Sequence, residues 1–132
     1  MPSPGEARSD GILDLDLPVP VEMGGRGERH PEQLFAAGYA ACLEGTLREV
    51  ARARKLPLTD ARITARIKLN ISDDRRYVLD AELRGNLAVV SDEDARALMH
   101  AAHGICPYSN ATRGNVDAGL LLETDLWLAL VI

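Results

Sequence analysis

The chain has 132 residues, a formal net charge of −5 and two cysteines. This length predicts one domain, spanning residues 1–132, that buries a core without help from disulfides. Basic residues are spread along the chain without a cluster, which argues against nucleic acid as a partner. The two cysteines do not form a C-x-x-C pair, which argues against a disulfide scaffold, a thioredoxin motif and a zinc site.

Neither end of the sequence carries a recognisable export or membrane signal. The N-terminal stretch MPSPGEARSDG lacks the basic and apolar regions of a signal peptide. The apolar run over residues 126–132 is too short to span a bilayer. The sequence therefore predicts a soluble, cytoplasmic protein with no membrane partner.

Three segments precede the longest predicted helix. Residues 1–9 are rich in proline, glycine and charge, which predicts a loose arm. Residues 10–17, DGILDLDL, alternate leucine with aspartate and predict a half-buried strand. Residues 18–30 contain two prolines and three glycines and predict an irregular connection.

The segment HPEQLFAAGYAAC opens a long predicted helix. Pro31 suits the first helical position, and Glu32 places a carboxylate at the positive end of the helix dipole. Apolar and small residues recur at helical spacing as far as Lys55, and Pro57 prevents the helix from continuing. Cys42 then lies on the mostly apolar face, about three turns in, on the same side as Glu32.

A hairpin follows this helix. Alternating apolar and polar residues over 63–71 and 77–84, joined by the turn SDDR, predict two antiparallel strands. Gly85 predicts a bulge, and residues 87–90 extend the sheet.

A second helix and a further strand complete the chain. Ser91 is the predicted N-cap, and the helix ends near Cys106 because Pro107 follows. Its predicted apolar stripe comprises Leu98, Met99, Ala102 and Ile105. The segment CPYSNATRGN predicts a polar, turn-rich connection, and residues 116–122 predict a strand. This order predicts the α+β class, without the strand–helix alternation of a parallel sheet.

The two cysteines are candidates for redox chemistry. One thiolate would attack a substrate, and the other would resolve the product as a disulfide. The alternative is that both are inert, since free cysteine is among the most buried residue types. Cys106 ends a helix in a polar segment, which is an unusual place for a hydrophobic filler and favours a role.

A metal site is a second alternative. His100, His103 and Cys106 follow one another at three-residue spacing and could be combined with Cys42. Successive steps of three residues drift around a helix by roughly 60°, so three ligands on one ion would be strained. The pattern favours histidines that flank the apolar stripe.

A reactive Cys42 needs a positive neighbour. Burial on an apolar face raises the pKa of a thiol, and only the thiolate is a strong nucleophile. The helix dipole fades within the first turn and does not reach Cys42. A guanidinium would supply the charge, and Glu32 would orient it through a bidentate pair.

Two long motifs carry a family resemblance. HPEQLFAAGYAAC resembles the NPEQLFAAGY-x-AC segment of the organic hydroperoxide resistance proteins, the peroxidase branch of the OsmC superfamily. CPYSNATRGNVD resembles the second-cysteine segment of that branch, and DGILDLDL with a later GG resembles the segment ahead of its helix. The resemblance spans roughly residues 10–117, and the motifs follow one another in the family's order and at its spacing.

The resemblance implies a fold and two catalytic cysteines. The fold would be OsmC-like α+β, with antiparallel sheets wrapped around a long central helix in an intertwined homodimer whose active sites lie at the subunit interface. Cys42 matches the peroxidatic cysteine and Cys106 the resolving cysteine. Glu32 matches the carboxylate that pairs with the catalytic arginine.

The resemblance also implies the substrates and the reductant. Organic hydroperoxides, including those of fatty acids, would be reduced to alcohols in oxidative-stress defence, in an apolar pocket containing Phe35 and Tyr39. No cofactor would be bound. Dihydrolipoyl groups on lipoylated proteins would reduce the disulfide.

The sequence departs from the family pattern at the catalytic arginine. Counting back from Asp10, its position falls near Pro2, so the first strand and its arginine are expected to be missing, as a wrong start site would produce. None of Arg8, Arg26 and Arg29 matches the motif. A catalytically impaired OsmC-like domain with a structural or ligand-binding role is therefore the alternative function.

Overall fold

The structure is a computed structural model, which describes the backbone of two N-terminal strands and residues 31–88 and 90–125. The elements of this part of the chain are, in order, β1 (Gly5–Arg8), β2 (Asp14–Leu17), α1 (Pro31–Ala53), β3 (Asp60–Ile71), β4 (Tyr77–Ala88), α2 (Asp92–Ile105), α3 (Pro107–Thr112) and β5 (Asp117–Leu122). The mixture of helices and sheet confirms the predicted α+β class.

Helix α1 begins at Pro31, as predicted, and ends at Ala53, two residues before the predicted end. It closes with a Schellman motif, in which the N–H of Leu56 donates to the carbonyl of Ala51 at 2.9 Å. Lys55 adopts the left-handed conformation that this motif requires, with a φ of 56°. A left-handed residue stops the helical hydrogen-bond pattern, so the helix ends just ahead of it.

Strands β3 and β4 form the predicted antiparallel hairpin, in one unbroken register along their whole length. The predicted bulge is wrong, because Gly85 pairs in step with Ile63. A Cβ atom at Gly85 would lie 2.7 Å from Sδ of Met99. The glycine therefore lets α2 approach the strand closely, which is the other common reason for a glycine inside a strand.

Both ends of α2 match the prediction, but the segment after it does not. The Ser91 hydroxyl caps α2 by accepting a hydrogen bond from the N–H of Asp94 at 3.1 Å. Cys106 ends α2 and is also the N-cap of α3, with Pro107 in the first turn of that helix. The predicted turn-rich connection is therefore wrong over α3, because Pro107 both stops one helix and suits the start of another.

The predicted apolar stripe of α2 is wrong at its last position. The buried side chains of this helix are Ala95, Leu98, Met99 and Ala102. Ile105 is 59% exposed, whereas Cys106 is fully buried. The next core-facing residue after Ala102 is thus Cys106, four positions later, because side chains four apart lie on the same helix face.

Strand β5 joins β4 in parallel and gives the sheet order β3-β4-β5. The expected antiparallel pairing does not extend to β5, because α2 and α3 carry the chain back to the end of the sheet where β4 began. The strand ends at Leu122, whose N–H donates to the Asp125 carboxylate at 3.0 Å. This end matches the predicted end of the strand at residue 122.

Strands β1 and β2 pair antiparallel in a sheet of their own. The predicted loose arm over residues 1–9 is wrong over β1, and a strand does precede β2 where none was expected. Pairing gives hydrogen-bond partners to the backbone N–H and C=O groups that an isolated strand would leave unpaired. β2 is shorter than the predicted strand over 10–17. The connection over 18–30 and the apolar run over 126–132 lie outside the described residues.

The core lies between α1, α2 and one face of the three-stranded sheet. Its largest fully buried side chains are those of Tyr39, Leu43, Leu47, Leu83, Leu98, Met99, Cys106 and Ser109. None of the helices in the described residues combines the length and apolar character needed to cross a membrane.

Candidate active site

The two cysteines lie next to each other. The Sγ atoms of Cys42 and Cys106 are 3.4 Å apart, although 64 positions separate the residues in the sequence. Both are free thiols, Cys42 partly exposed and Cys106 buried. The pair is therefore one short movement away from a disulfide, whose S–S bond is about 2.05 Å long.

Cys106 occupies the joint between two helices. Its N–H donates to the carbonyl of Ala102 at 2.8 Å, and its own carbonyl accepts from Asn110 at 2.9 Å. Its backbone is extended, with a φ of −62° and a ψ of 127°, because the residue before a proline is pushed away from helical geometry. Cys42 differs in lying inside α1, where the backbone is helical on both sides.

The surroundings of Cys42 keep its thiol protonated. Burial raises the pKa of the Cys42 thiol, a hydrogen bond from the backbone of Tyr108 opposes the rise, and Cys106 adds to it. Within the described parts of the chain, no arginine is among the groups that set this pKa. Thiolate formation at neutral pH therefore needs a further positive charge.

Three aromatic rings on α1 and α3 pack against one another. The ring of Phe35 meets that of Tyr39 edge-on at 5.8 Å between centroids, and Tyr108 lies 6.2 Å from the first and 5.9 Å from the second. Gly38 makes this packing possible, since a Cβ there would lie 3.0 Å from the Tyr108 hydroxyl. The structure thus groups the two predicted pocket residues with Tyr108, which the sequence analysis missed.

A buried hydroxyl joins α1, α2 and α3. Ser109 Oγ lies 2.7 Å from the Tyr39 hydroxyl and 2.7 Å from Nδ1 of His103. Burial lowers the pKa of His103, and electrostatic interactions with Arg113 and His100 lower it further. The imidazole is therefore neutral at physiological pH. Ser109 was missed in the sequence because nothing in its local pattern distinguishes it from a turn serine.

Glu32 does not adjoin the thiols on its own chain. It lies in the first turn of α1, and the ten residues from there to Cys42 correspond to roughly 15 Å along a helix. One guanidinium does not span that distance within a single chain. The structure therefore brings Cys42 to Cys106 and packs Phe35 against Tyr39, which precedes Cys42 by three residues on α1, whereas Glu32 lies in the first turn of that helix.

The histidines do not complete a metal site. Among the described residues, no group of three or more histidine, cysteine, aspartate or glutamate side chains is placed to hold a metal ion. His103 binds Ser109 instead, and its carbonyl accepts from the Arg113 guanidinium at 2.9 Å. The chemistry open to the described site is that of a thiol pair next to aromatic rings.

Comparison with known sequences agrees with the family resemblance of the two cysteine motifs. The family model described as OsmC-like protein matches residues 24–120. The organic hydroperoxide resistance protein OhrB of Bacillus subtilis is 41% identical over 116 residues, which cover 86% of this chain and 85% of the relative.

Solved structures extend the likeness to the fold. An organic hydroperoxide resistance protein from Legionella pneumophila superposes with a TM-score of 0.81 at 44% identity, covering 86% of this chain and 84% of its own. One from Elizabethkingia anophelis gives a TM-score of 0.84 at 36% identity, covering 90% and 87%. The resemblance seen in the two cysteine motifs thus extends to most of the chain.

Proposed function

The chain belongs to the OsmC-like family, in the branch of the organic hydroperoxide resistance proteins, and we propose that it is a cysteine peroxidase that reduces organic hydroperoxides to alcohols. Relatives at about 40% identity carry that name, which supports a peroxidase-like role in oxidative stress. The observation that carries the mechanism is the 3.4 Å separation of the two thiols.

The proposed reaction has two steps. In the first, the Cys42 thiolate attacks the terminal peroxide oxygen, the O–O bond breaks, and the alkoxide takes a proton to leave as the alcohol. In the second, the Cys106 sulfur attacks the resulting Cys42 sulfenic acid, water leaves, and a disulfide forms. The two thiols have then supplied the two electrons that reduced the hydroperoxide.

The assignment of the first attack to Cys42 follows from access. Cys42 is partly exposed and beside the aromatic cluster, whereas Cys106 is fully buried. A substrate reaches Cys42 first, and Cys106 is then close enough to trap the product. We propose Phe35 and Tyr39 as substrate-pocket residues: the partly exposed ring of Phe35 would contact the substrate, and the fully buried ring of Tyr39 would support it from behind. Aromatic faces favour an organic hydroperoxide, fatty-acid ones included, over hydrogen peroxide.

The activation of Cys42 is proposed to involve a second copy of the chain. A guanidinium paired with Glu32 would lower the thiol pKa, but Glu32 lies roughly 15 Å along the same helix. A homodimer with its active sites at the subunit interface would bring a Glu32–arginine pair from one copy to Cys42 of the other.

We propose an external dithiol as the reductant. A dihydrolipoyl group on a lipoylated protein would attack the disulfide by thiol exchange and leave both cysteines reduced. No bound cofactor takes part in this scheme. The proposed compartment is the cytoplasm, where thiols are kept reduced.

One observation favours a second candidate function, an OsmC-like domain with impaired catalysis and a structural or ligand-binding role. The described neighbours of Cys42 raise its pKa on balance. A protein of this kind forms no Cys42–Cys106 disulfide with one equivalent of hydroperoxide. Rapid, clean loss of two mass units in the intact protein would exclude this candidate.

The test of the peroxidase proposal compares two variants. Consumption of tert-butyl hydroperoxide is followed with dihydrolipoamide as reductant, for wild type, Cys42→Ser and Ser91→Ala. Loss of activity is expected only for Cys42→Ser, since Ser91 caps the far end of α2. Equal rates for wild type and Cys42→Ser would refute the proposal.

A further inference from the structure

The proposed reaction makes no use of the hydrogen-bonded chain formed by Tyr39, Ser109 and His103. Its two links, from the Tyr39 hydroxyl to Ser109 Oγ and from Ser109 Oγ to His103 Nδ1, are both 2.7 Å long. Tyr39 and Ser109 are fully buried. A serine hydroxyl donates one hydrogen bond and accepts two, so it satisfies both neighbours at the same time.

The chain runs alongside the two thiols, one helical turn away. Tyr39 precedes Cys42 by three residues on α1, and His103 precedes Cys106 by three on α2. Ser109 follows Cys106 by three and lies on α3. Every helix that positions a thiol is therefore joined to the same buried hydroxyl.

We propose that Ser109 is a positioning residue that holds Cys106 in line with Cys42 for disulfide closure. Its biological role rests on the proposed peroxidase function, but the closure that it assists is a property of the thiol pair itself.

The need for such a residue follows from the setting of Cys106. Its backbone bonds to Ala102 and Asn110 fix it to α2 and α3 but not to the helix that carries Cys42. The bond between Tyr39 and Ser109 crosses that gap with a defined length and direction. Two contacts of Tyr108 also cross it, the packing of its ring and the hydrogen bond from its backbone to the Cys42 thiol. Ring packing is less directional, and the second contact is made by the reacting sulfur itself, so neither is a fixed anchor during closure.

The geometric demand of closure is strict. The sulfurs lie 3.4 Å apart and must approach by about 1.4 Å to reach the length of a disulfide bond. The Cys106 thiolate attacks the Cys42 sulfur in line with the group that leaves. That group is hydroxide from a sulfenic acid, which takes a proton and leaves as water, or a thiolate from a mixed disulfide.

Closure is measurable without any peroxide. Reduced protein is mixed with glutathione disulfide and quenched with acid, and intact masses give the rates of mixed-disulfide formation at Cys42 and of closure by Cys106. Ser109→Ala is expected to slow closure by about 10-fold to 100-fold, the cost of a misplacement of about 1 Å. Mixed-disulfide formation should slow much less, so the ratio of the two rates falls.

Ser91→Ala is the matched control. It also removes a serine hydroxyl that makes a hydrogen bond, in this case to the Asp94 N–H at the start of α2. It should lower stability without changing the ratio of the two rates. A general loss of stability would move both variants alike, whereas a positioning role moves only Ser109→Ala.

Two further variants keep the test decisive if Ser109→Ala does not fold. His103 is only partly buried, so His103→Ala removes one link at the edge of the site and should also slow closure. His103→Asn places an amide near the former Nδ1 and should restore part of the rate.

Closure at the wild-type rate in Ser109→Ala, or in His103→Ala if Ser109→Ala does not fold, would overturn the inference. Repeating the measurement with tert-butyl hydroperoxide separates it from the proposed function. If glutathione disulfide oxidises the wild type and the hydroperoxide does not, the peroxidase proposal fails while the positioning role of Ser109 stands.

Discussion

Cys42 and Cys106 face each other across 3.4 Å, but the chain holds them in opposite ways. Cys42 lies inside a 23-residue helix whose backbone is helical on both sides of it, and its thiol is partly exposed. Cys106 is buried in the non-helical joint between α2 and α3. A rigid, accessible sulfur suits attack on a substrate, and a sheltered sulfur at a joint suits the short movement that closes a disulfide.

Replacing each thiol in turn should have the largest effect. Cys42→Ser should remove reaction with hydroperoxide, whereas Cys106→Ser should keep the first attack and leave the sulfenic acid untrapped. With excess hydroperoxide, Cys106→Ser should then gain 32 mass units as a sulfinic acid at least about 10-fold faster than wild type, because nothing resolves the intermediate. Intact mass spectrometry measures this, and equal over-oxidation in both proteins would contradict the division of roles.

Adding a side chain at Gly38 tests how closely α3, which follows Cys106, must approach α1, which carries Cys42. Gly38→Ala places a Cβ within 3.0 Å of the Tyr108 hydroxyl, whereas Gly45, on the same helix, has nothing within 4 Å. Gly45→Ala should stabilise the protein by about 0.5–1 kcal/mol through helix propensity. Gly38→Ala should be less stable than Gly45→Ala by about 1–3 kcal/mol, the cost of overpacking.

Urea unfolding gives both values, with the linear dependence of stability on denaturant. Equal free energies of unfolding for the two variants would show that Tyr108 yields freely, and that α3 is not held against α1 by this contact.

A smaller effect should appear in the pH dependence of stability. Burial raises the pKa of Cys42 in the folded chain, so the unfolded chain loses this proton first as the pH rises. The stability that the neutral thiol contributes is present below the ordinary pKa of a cysteine and is lost as the pH rises through the folded value. Between pH 7 and 10, wild type should therefore lose more stability than Cys42→Ser. A parallel decline in both proteins would mean that the thiol is not buried enough to matter.

Local sequence signals account for most elements in the described part of the chain. Pro31 and the helical spacing after it gave α1, and alternation gave the β3–β4 hairpin. Ser91 gave the start of α2 through its hydroxyl. These features were predictable because each depends on neighbours within a few positions, where capping and periodicity act.

The wrong structural predictions fall at residue types that have two common structural roles. Pro107 was correctly taken as a helix stop but also begins α3. Gly85 was taken as a bulge, whereas its missing side chain makes room for Met99. The parallel pairing of β5 could not be foreseen, because strand direction in a sheet depends on the path of the intervening helices.

The sequence by itself determined the helices, the hairpin and the two cysteine motifs, because those follow from local conformational preference and from residue identity. Only the tertiary structure decided that the Cys42 and Cys106 sulfurs lie 3.4 Å apart. It alone decided that Ser109 links Tyr39 to His103 and that Gly38 admits the ring of Tyr108. These contacts join residues up to 70 positions apart, and packing of α1 against α2 and α3 is what brings them together.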